Sequence, residues 1–192
     1  QAAGAISYGI YPTASASEVG FQMRDGGAVL FIAEDQEYVD RILPFAGDLP
    51  DLRWIVVIDA SAMFAYDHPR IRRYADLMRE SACGEEQAIR FLENLAAKTG
   101  ADDPAFIVYT SGTTGNPKGA LVAHGRHLAA TYNLVQHYPL LAGAQRTVAY
   151  LPLCHILGRD IAVTLPLLSK LVPHFGEDVE DLPRTFFEVA PT

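Results

Sequence analysis

The densest concentration of phosphate-compatible groups lies between Tyr109 and Gly119, where the chain reads YTSGTTGNPKG. Thr110, Ser111, Thr113 and Thr114 carry hydroxyls, Gly112, Gly115 and Gly119 lack the Cβ that would hold a ligand off the backbone, and Lys118 adds a cation on a flexible stem. A phosphate requires a concave surface of N–H and O–H donors with positive charge nearby, and this stretch supplies each part. The P-loop pattern GxxxxGK[ST] is excluded, because Pro117 precedes Lys118 and Gly119 follows it. The next segment, GALVAH, also reads as a strand, whereas a P-loop opens a helix whose N-terminus faces the phosphate. A flexible linker is the bland reading of any Gly/Ser/Thr run, and the position between two apolar strands counts against it.

Other chemistry-bearing side chains are scattered. His124, His127, His137 and His174 have no ligand-like spacing and read as packed or exposed; His155, at the end of an apolar strand, reads on spacing alone as a packed histidine. The adjacent pairs Glu85-Glu86 and Asp102-Asp103 direct their carboxylates apart, which suits a solvated surface better than paired acid catalysis. Cys83 and Cys154 lack CxxC or zinc-ligand spacing, so neither a disulfide scaffold nor a metal site is expected, and a reducing, cytoplasmic setting is. Cys154 reads as a small apolar filler.

Stepping along the chain gives the elements that must position the loop. AISYGIY reads as a strand, followed by a helix over PTASASEVGFQMRDGG with Ser15 and Glu18 at capping-box spacing and Gly26-Gly27 as its stop. The apolar strand AVLFIAED, a helix QEYVDRILPFAG interrupted at Pro44 and the strand RWIVVIDA come next. This alternation predicts an α/β fold with a parallel sheet covered on both faces. Residues 61–103 read as a helical connector in two pieces, RIRRYADLMRE and EEQAIRFLENLAAKTG. The sheet resumes with AFIVYT and GALVAH on either side of the loop, then a helix from about Arg126 to His137, the strand TVAYLPL and a helix over ILGRDIAVTLPLL. The predicted organisation is thus residues 1–60 as a first βαβαβ segment, 61–103 as connector and 104–192 as the segment bearing the loop. Ligands of open α/β sheets bind at such strand ends.

Composition narrows the partners. The 192 residues are 49% hydrophobic, enough for one ordinary core, and 15 basic against 23 acidic side chains leave a net charge of −8 with no extended basic run, which disfavours nucleic acid. No stretch approaches the eighteen apolar residues of a membrane span, and QAAGAISYGIY lacks the basic region of a signal peptide. The start at Gln1 inside an apolar segment and the close after RTFFEVAPT read as the ends of a fragment.

YTSGTTGNPKG closely resembles the signature phosphate loop of the adenylate-forming enzymes, the superfamily of acyl-CoA synthetases, luciferases and nonribosomal-peptide adenylation domains. GAISYGIYPTASASEV, YLPLCHILGRD and VPHFGEDVEDLPRTFFEVAPT resemble segments of its long-chain acyl-CoA synthetases, so the resemblance runs over nearly the whole chain. One departure is Gly158-Arg159, where the long-chain group usually has Glu-Arg, and it leaves acid length open. The resemblance implies part of the large N-terminal domain, with flavodoxin-like layered parallel sheets, incomplete over residues 1–192. It implies that an acid attacks the α-phosphate of ATP to give an acyl-adenylate, from which a thiol, often coenzyme A, displaces AMP. Thr110, Ser111, Gly112, Thr113, Thr114, Gly115 and Lys118 would then hold the β- and γ-phosphates, and His155 would border the acyl and adenylate pocket.

The expected partners are ATP with Mg²⁺, a carboxylic acid and coenzyme A; peripheral membrane contact and oligomeric state stay open. No catalytic role is assigned within this stretch. Family members carry the adenine-contacting segment, the acidic residue associated with Mg²⁺, the ribose-binding aspartate and a catalytic lysine farther downstream, so this stretch alone is expected not to complete adenylation. A carrier-protein thiol as acceptor, and a non-catalytic nucleotide-binding module, are the alternatives.

Overall fold

A computed structural model describes residues 1, 3–80, 83–110, 116–176 and 180–192. They divide into two compact units.

The first comprises Pro12–Asn94 with Tyr109–Gly119. Helix α1 (Ala16–Asp25) begins at the expected capping box: the Ser15 hydroxyl accepts from the Glu18 N–H, and the Glu18 carboxylate accepts from the Ser15 N–H at 2.8 Å. Gly26 caps its C-terminus, and Gly27 follows at φ +57°, a left-handed turn that a side chain would oppose. Strand β1 (Leu30–Ala33) leads to α2 (Gln36–Ile42), which Pro44 converts into a 3₁₀ turn over Leu43–Asp48. Strand β2 (Trp54–Val57) pairs in parallel with β1, setting Leu30 beside Trp54 and Ile32 beside Val56.

Residues 71–73 were read as the start of a helix, but Ile71–Arg73 form strand β3, parallel to β2, and α3 (Tyr74–Glu80) begins only at Tyr74. Helix α4 (Glu85–Ala96) follows as read. One face of the three-stranded sheet buries Phe31, Ala33, Ile55 and Val57. Gly20 of α1 sits so close to the Phe45 ring that a Cβ there would lie 2.7 Å from it. The opposite face leaves Leu30, Ile32 and Trp54 exposed, with the Arg72 guanidinium 5.4 Å from the Trp54 ring centroid. The sheet is parallel as predicted, and on this second face Val56, paired with Ile32, is buried.

The second unit comprises Gln1–Tyr11, Leu95–Val108 and Ala120–Thr192. Strand β4 (Pro104–Thr110) pairs with β5 (Lys118–Ala123), the two strands predicted to flank the loop. The expected N-terminal strand shrinks to a single parallel bridge between Ser7 and Phe106. Two residues on, Gly9 lies flat against Cys154, where a Cβ would come within 2.8 Å of the cysteine Cβ, so the segment is held by close packing instead of a ladder. Helix α5 spans His124–His137, and β6 (Gln145–Val148) stops short of the YLPL that was read into it.

The helix read over ILGRDIAVTLPLL has three parts: α6 (Ile156–Arg159), a π-helical turn at Asp160–Thr164, and α7 (Leu165–Leu168). Strand β7 (Leu171–His174), which the sequence reading missed, pairs in parallel with β6. Helix α8 (Leu182–Val189) ends at Ala190, left-handed at φ 44°. Beyond it the Thr192 N–H donates to the Arg146 carbonyl at 3.2 Å while the Thr192 hydroxyl accepts from the Arg146 N–H at 3.0 Å.

Candidate functional site

The phosphate-loop candidates are framed by strand ends. Thr110 is the last residue of β4 and exposed; Lys118 is the first of β5 and equally exposed, so its ammonium group is open to an anion. Ser111, Gly112, Thr113, Thr114 and Gly115 lie outside the described residues. What holds the approach to the loop is Tyr109, whose ring is buried and whose hydroxyl donates to Asp25 Oδ2 at 2.8 Å. That bond fastens the last turn of β4 to the end of α1. A buried tyrosine normally finds such a partner for its polar tip.

His155 belongs to the other unit and is half-buried. It serves as the N-cap of α6: its Nδ1 accepts the Leu157 N–H at 3.2 Å, which puts the ring proton on Nε2. Its own N–H donates to the Pro152 carbonyl at 2.9 Å. Gly158 is buried one turn later, where a Cβ would lie 2.7 Å from the Leu151 carbonyl oxygen and closer still to that of Pro152. The turn at residues 151–155 is therefore gripped on two sides, by Gly9 against Cys154 and by Gly158 against the Leu151 and Pro152 carbonyls. Burial raises the Cys154 thiol pKa, consistent with its predicted role as apolar filler.

Sequence reasoning missed a buried polar cluster around His127. Its Nε2 lies 3.0 Å from Thr164 Oγ1 and 3.2 Å from Asp160 Oδ1. A carboxylate oxygen that close disfavours a lone pair on Nε2, which assigns the ring proton there. One N–H serves one acceptor well. The alignment favours Thr164, leaving Asp160 Oδ1 at ion-pair distance with no hydrogen bond among the described residues. Burial pushes the Asp160 carboxyl up, with His127 and Arg159 pulling it back; burial pushes the His127 ring down, against the pull of Asp160. The Arg159 guanidinium stands 4.4 Å from the Phe106 ring centroid, and burial lowers its pKa. The readable signal was Arg159-Asp160, a charged pair inside an otherwise apolar helix.

Among the described residues no three His, Cys, Asp or Glu side chains are grouped to hold a metal ion, and no helix is long and apolar enough to cross a membrane.

Residues 1–190 match the AMP-binding enzyme family. The chain belongs to that family. Among its relatives, the long-chain-fatty-acid–CoA ligase FadD15 of Mycobacterium bovis is 31% identical over 182 residues, covering 94% of the chain and 28% of the relative. The long-chain-fatty-acid–CoA ligase ACSBG2 of Xenopus laevis is 26% identical, with 99% and 26% covered. Among solved structures, the anthranilate CoA ligase AuaEII in complex with anthranoyl-AMP superposes with a TM-score of 0.74 at 25% identity, covering 98% of this chain and 34% of that one. The luciferase-like enzyme of the mealworm Zophobas morio, at 19% identity and a TM-score of 0.69, shares the fold. The chain thus spans about a quarter of the length of the curated relatives it matches. Its parallel α/β layering is that of the N-terminal part of adenylate-forming enzymes.

Proposed function

We propose that the full-length gene product is an ATP-dependent acyl-CoA ligase, AMP-forming, which activates an apolar, long-chain carboxylic acid to an acyl-adenylate and passes the acyl group to coenzyme A. The observation that carries this reading is the pairing of β4 with β5 around YTSGTTGNPKG, with Thr110 and Lys118 exposed at the two strand ends. Two strands joined by hydroxyls, glycines and a lysine make a clamp for a leaving pyrophosphate, which accumulates charge as the acid attacks the α-phosphate. Lys118 supplies the cation, and the hydroxyls and backbone N–H groups of residues 110–115 supply the directed donors. His155, its Nδ1 committed to the cap of α6, presents an Nε2–H donor and serves as a wall of the acid pocket, without proton transfer. The long-chain preference is supported by the names of the relatives at 26–31% identity. Mg²⁺ accompanies ATP in this reading. Two unpaired thiols, Cys83 and Cys154, suit a cytoplasmic setting for the enzyme.

Carboxylate-dependent ATP/pyrophosphate exchange tests this directly, with an acid panel from acetate to palmitate and aryl acids, on the full-length gene product and on residues 1–192. Exchange by the full-length product with long-chain acids, and none by residues 1–192, is the expected result. No exchange with any acid by the full-length product would remove the ligase reading and leave a nucleotide-binding module.

A further inference from the structure

The hydrogen-bond ladder that starts at His155 runs without a break into the π turn. The Arg159 N–H donates to the His155 carbonyl at 3.0 Å, the Asp160 N–H to the Ile156 and Leu157 carbonyls, and the Leu165 N–H to the Asp160 carbonyl. This last bond spans five residues, the register of a π turn, which costs helix geometry and persists where something outside the helix holds it. The outside hold is visible. His127, from α5, reaches both ends of the turn, Thr164 at 3.0 Å and Asp160 at 3.2 Å, and stands edge-on to Phe106 of β4 with ring centroids 4.8 Å apart. His127 is itself fixed along α5, where its carbonyl accepts from the buried Thr131 hydroxyl at 3.0 Å. Gly158 lets α6 press against the Leu151 and Pro152 carbonyls, the start of the turn that bears His155.

We propose that His127 is a positioning residue for the acid pocket: by holding Thr164, with Asp160 alongside, it sets the π turn, and through α6 it sets the place and the tautomer of His155. This rests on the ligase reading, in which His155 borders that pocket. His127 does not touch the acid. Its side chain is only 11% exposed, and its one Nε2–H is already engaged by Thr164. Replacement by glutamine keeps a donor and adds a second N–H able to satisfy Asp160 Oδ1; leucine removes donation while keeping apolar bulk. Thr164→Val removes the acceptor with little change of shape.

The test has two readouts on the full-length gene product. The first is the peptide-mapped rate at which diethyl pyrocarbonate modifies His155, which is slow while Nδ1 accepts the Leu157 N–H and Nε2 is protonated. The second is the split between the KM for the acid and the KM for ATP. His127→Leu and Thr164→Val are expected to speed modification of His155 several-fold and to raise the acid KM about tenfold with the ATP KM unchanged, while His127→Gln restores both. An unchanged His155 rate in folded His127→Leu and Thr164→Val proteins overturns the proposal; so does a His127→Gln protein as impaired as His127→Leu. Should His127→Leu not fold, Thr164→Val decides alone. If the wild-type product exchanges with no acid, the ligase reading fails, and the modification rates still report whether His127 governs His155.

Discussion

The Tyr109 hydroxyl donates to Asp25 at 2.8 Å, so a residue at the mouth of the phosphate loop is tied to the last turn of a helix 84 positions earlier in the chain. Because Asp25 is exposed, this bond stabilises less than a buried charged one. Tyr109→Phe is expected to destabilise by about 1 kcal/mol, seen as a lower urea midpoint with an unchanged slope. Under the ligase reading the same change should raise the KM for ATP in the full-length gene product, because β4 loses its tether next to Thr110. An unchanged midpoint would mean that the tether contributes nothing.

Lys118 is exposed, and no salt bridge claims it among the described residues. Removing it should therefore leave folding intact. Under the ligase reading, Lys118→Ala raises the KM for ATP about tenfold or more through loss of one charge-assisted phosphate contact. Lys118→Arg should recover part of it. Wild-type exchange kinetics in Lys118→Ala would exclude the lysine from phosphate binding.

Gly158 and Gly47 make a matched pair for a stability measurement. A Cβ at Gly158 meets two backbone carbonyls, whereas one at Gly47 meets nothing within 4 Å. Gly158→Ala should destabilise by about 2 kcal/mol or more, since backbone cannot step aside as a side-chain tip can. Gly47→Ala should be neutral or stabilise by up to about 1 kcal/mol through the unfolded chain. Thermal melts of the two variants side by side decide it, and equal losses would show that α6 does not press on the 151–155 turn.

The His127 cluster carries a pH signature whose two halves have opposite signs. His127 has its pKa lowered from 6.5, so the folded state holds fewer protons than the unfolded one just below that pH, and stability falls as pH drops through the window. Asp160 has its pKa raised from 3.8, so just above that pH the folded state holds more protons, and stability falls as pH rises through that window. His127→Gln should flatten the loss below pH 6.5, and Asp160→Asn should remove the loss above pH 3.8. Denaturant midpoints between pH 4 and 7.5 measure both. A His127→Gln curve parallel to wild type throughout would contradict the burial of a neutral imidazole.

Much of the scaffold was legible because its signals are local. Ser15 and Glu18 announce the start of α1 three residues apart, Pro44 ends α2 by removing an N–H, and the runs at 30–33 and 54–57 are apolar enough to be strands. Strand β3 was misread because Ile71-Arg72-Arg73 has neither alternation nor apolar length; its pairing with β2 decides it. Likewise β7 exists as the partner of β6. The strands on either side of the loop were legible as apolar runs. The cluster was not, since His127 meets Asp160 and Thr164 only once α5 and the π turn pack, 33 and 37 positions apart. Inside a helix only neighbours three or four apart can be read from spacing.

Residues 190–192 lie along the second edge of β6 at Arg146. Strand β6 is satisfied on one side by β7, and an open second edge would offer its N–H and C=O groups to any passing strand. Ala190, in its left-handed conformation, turns the chain back so that Thr192 engages the Arg146 N–H with its hydroxyl and the Arg146 carbonyl with its own N–H. Thr192 thus meets both backbone hydrogen-bonding groups of Arg146, so at that residue β6 is engaged on both of its edges.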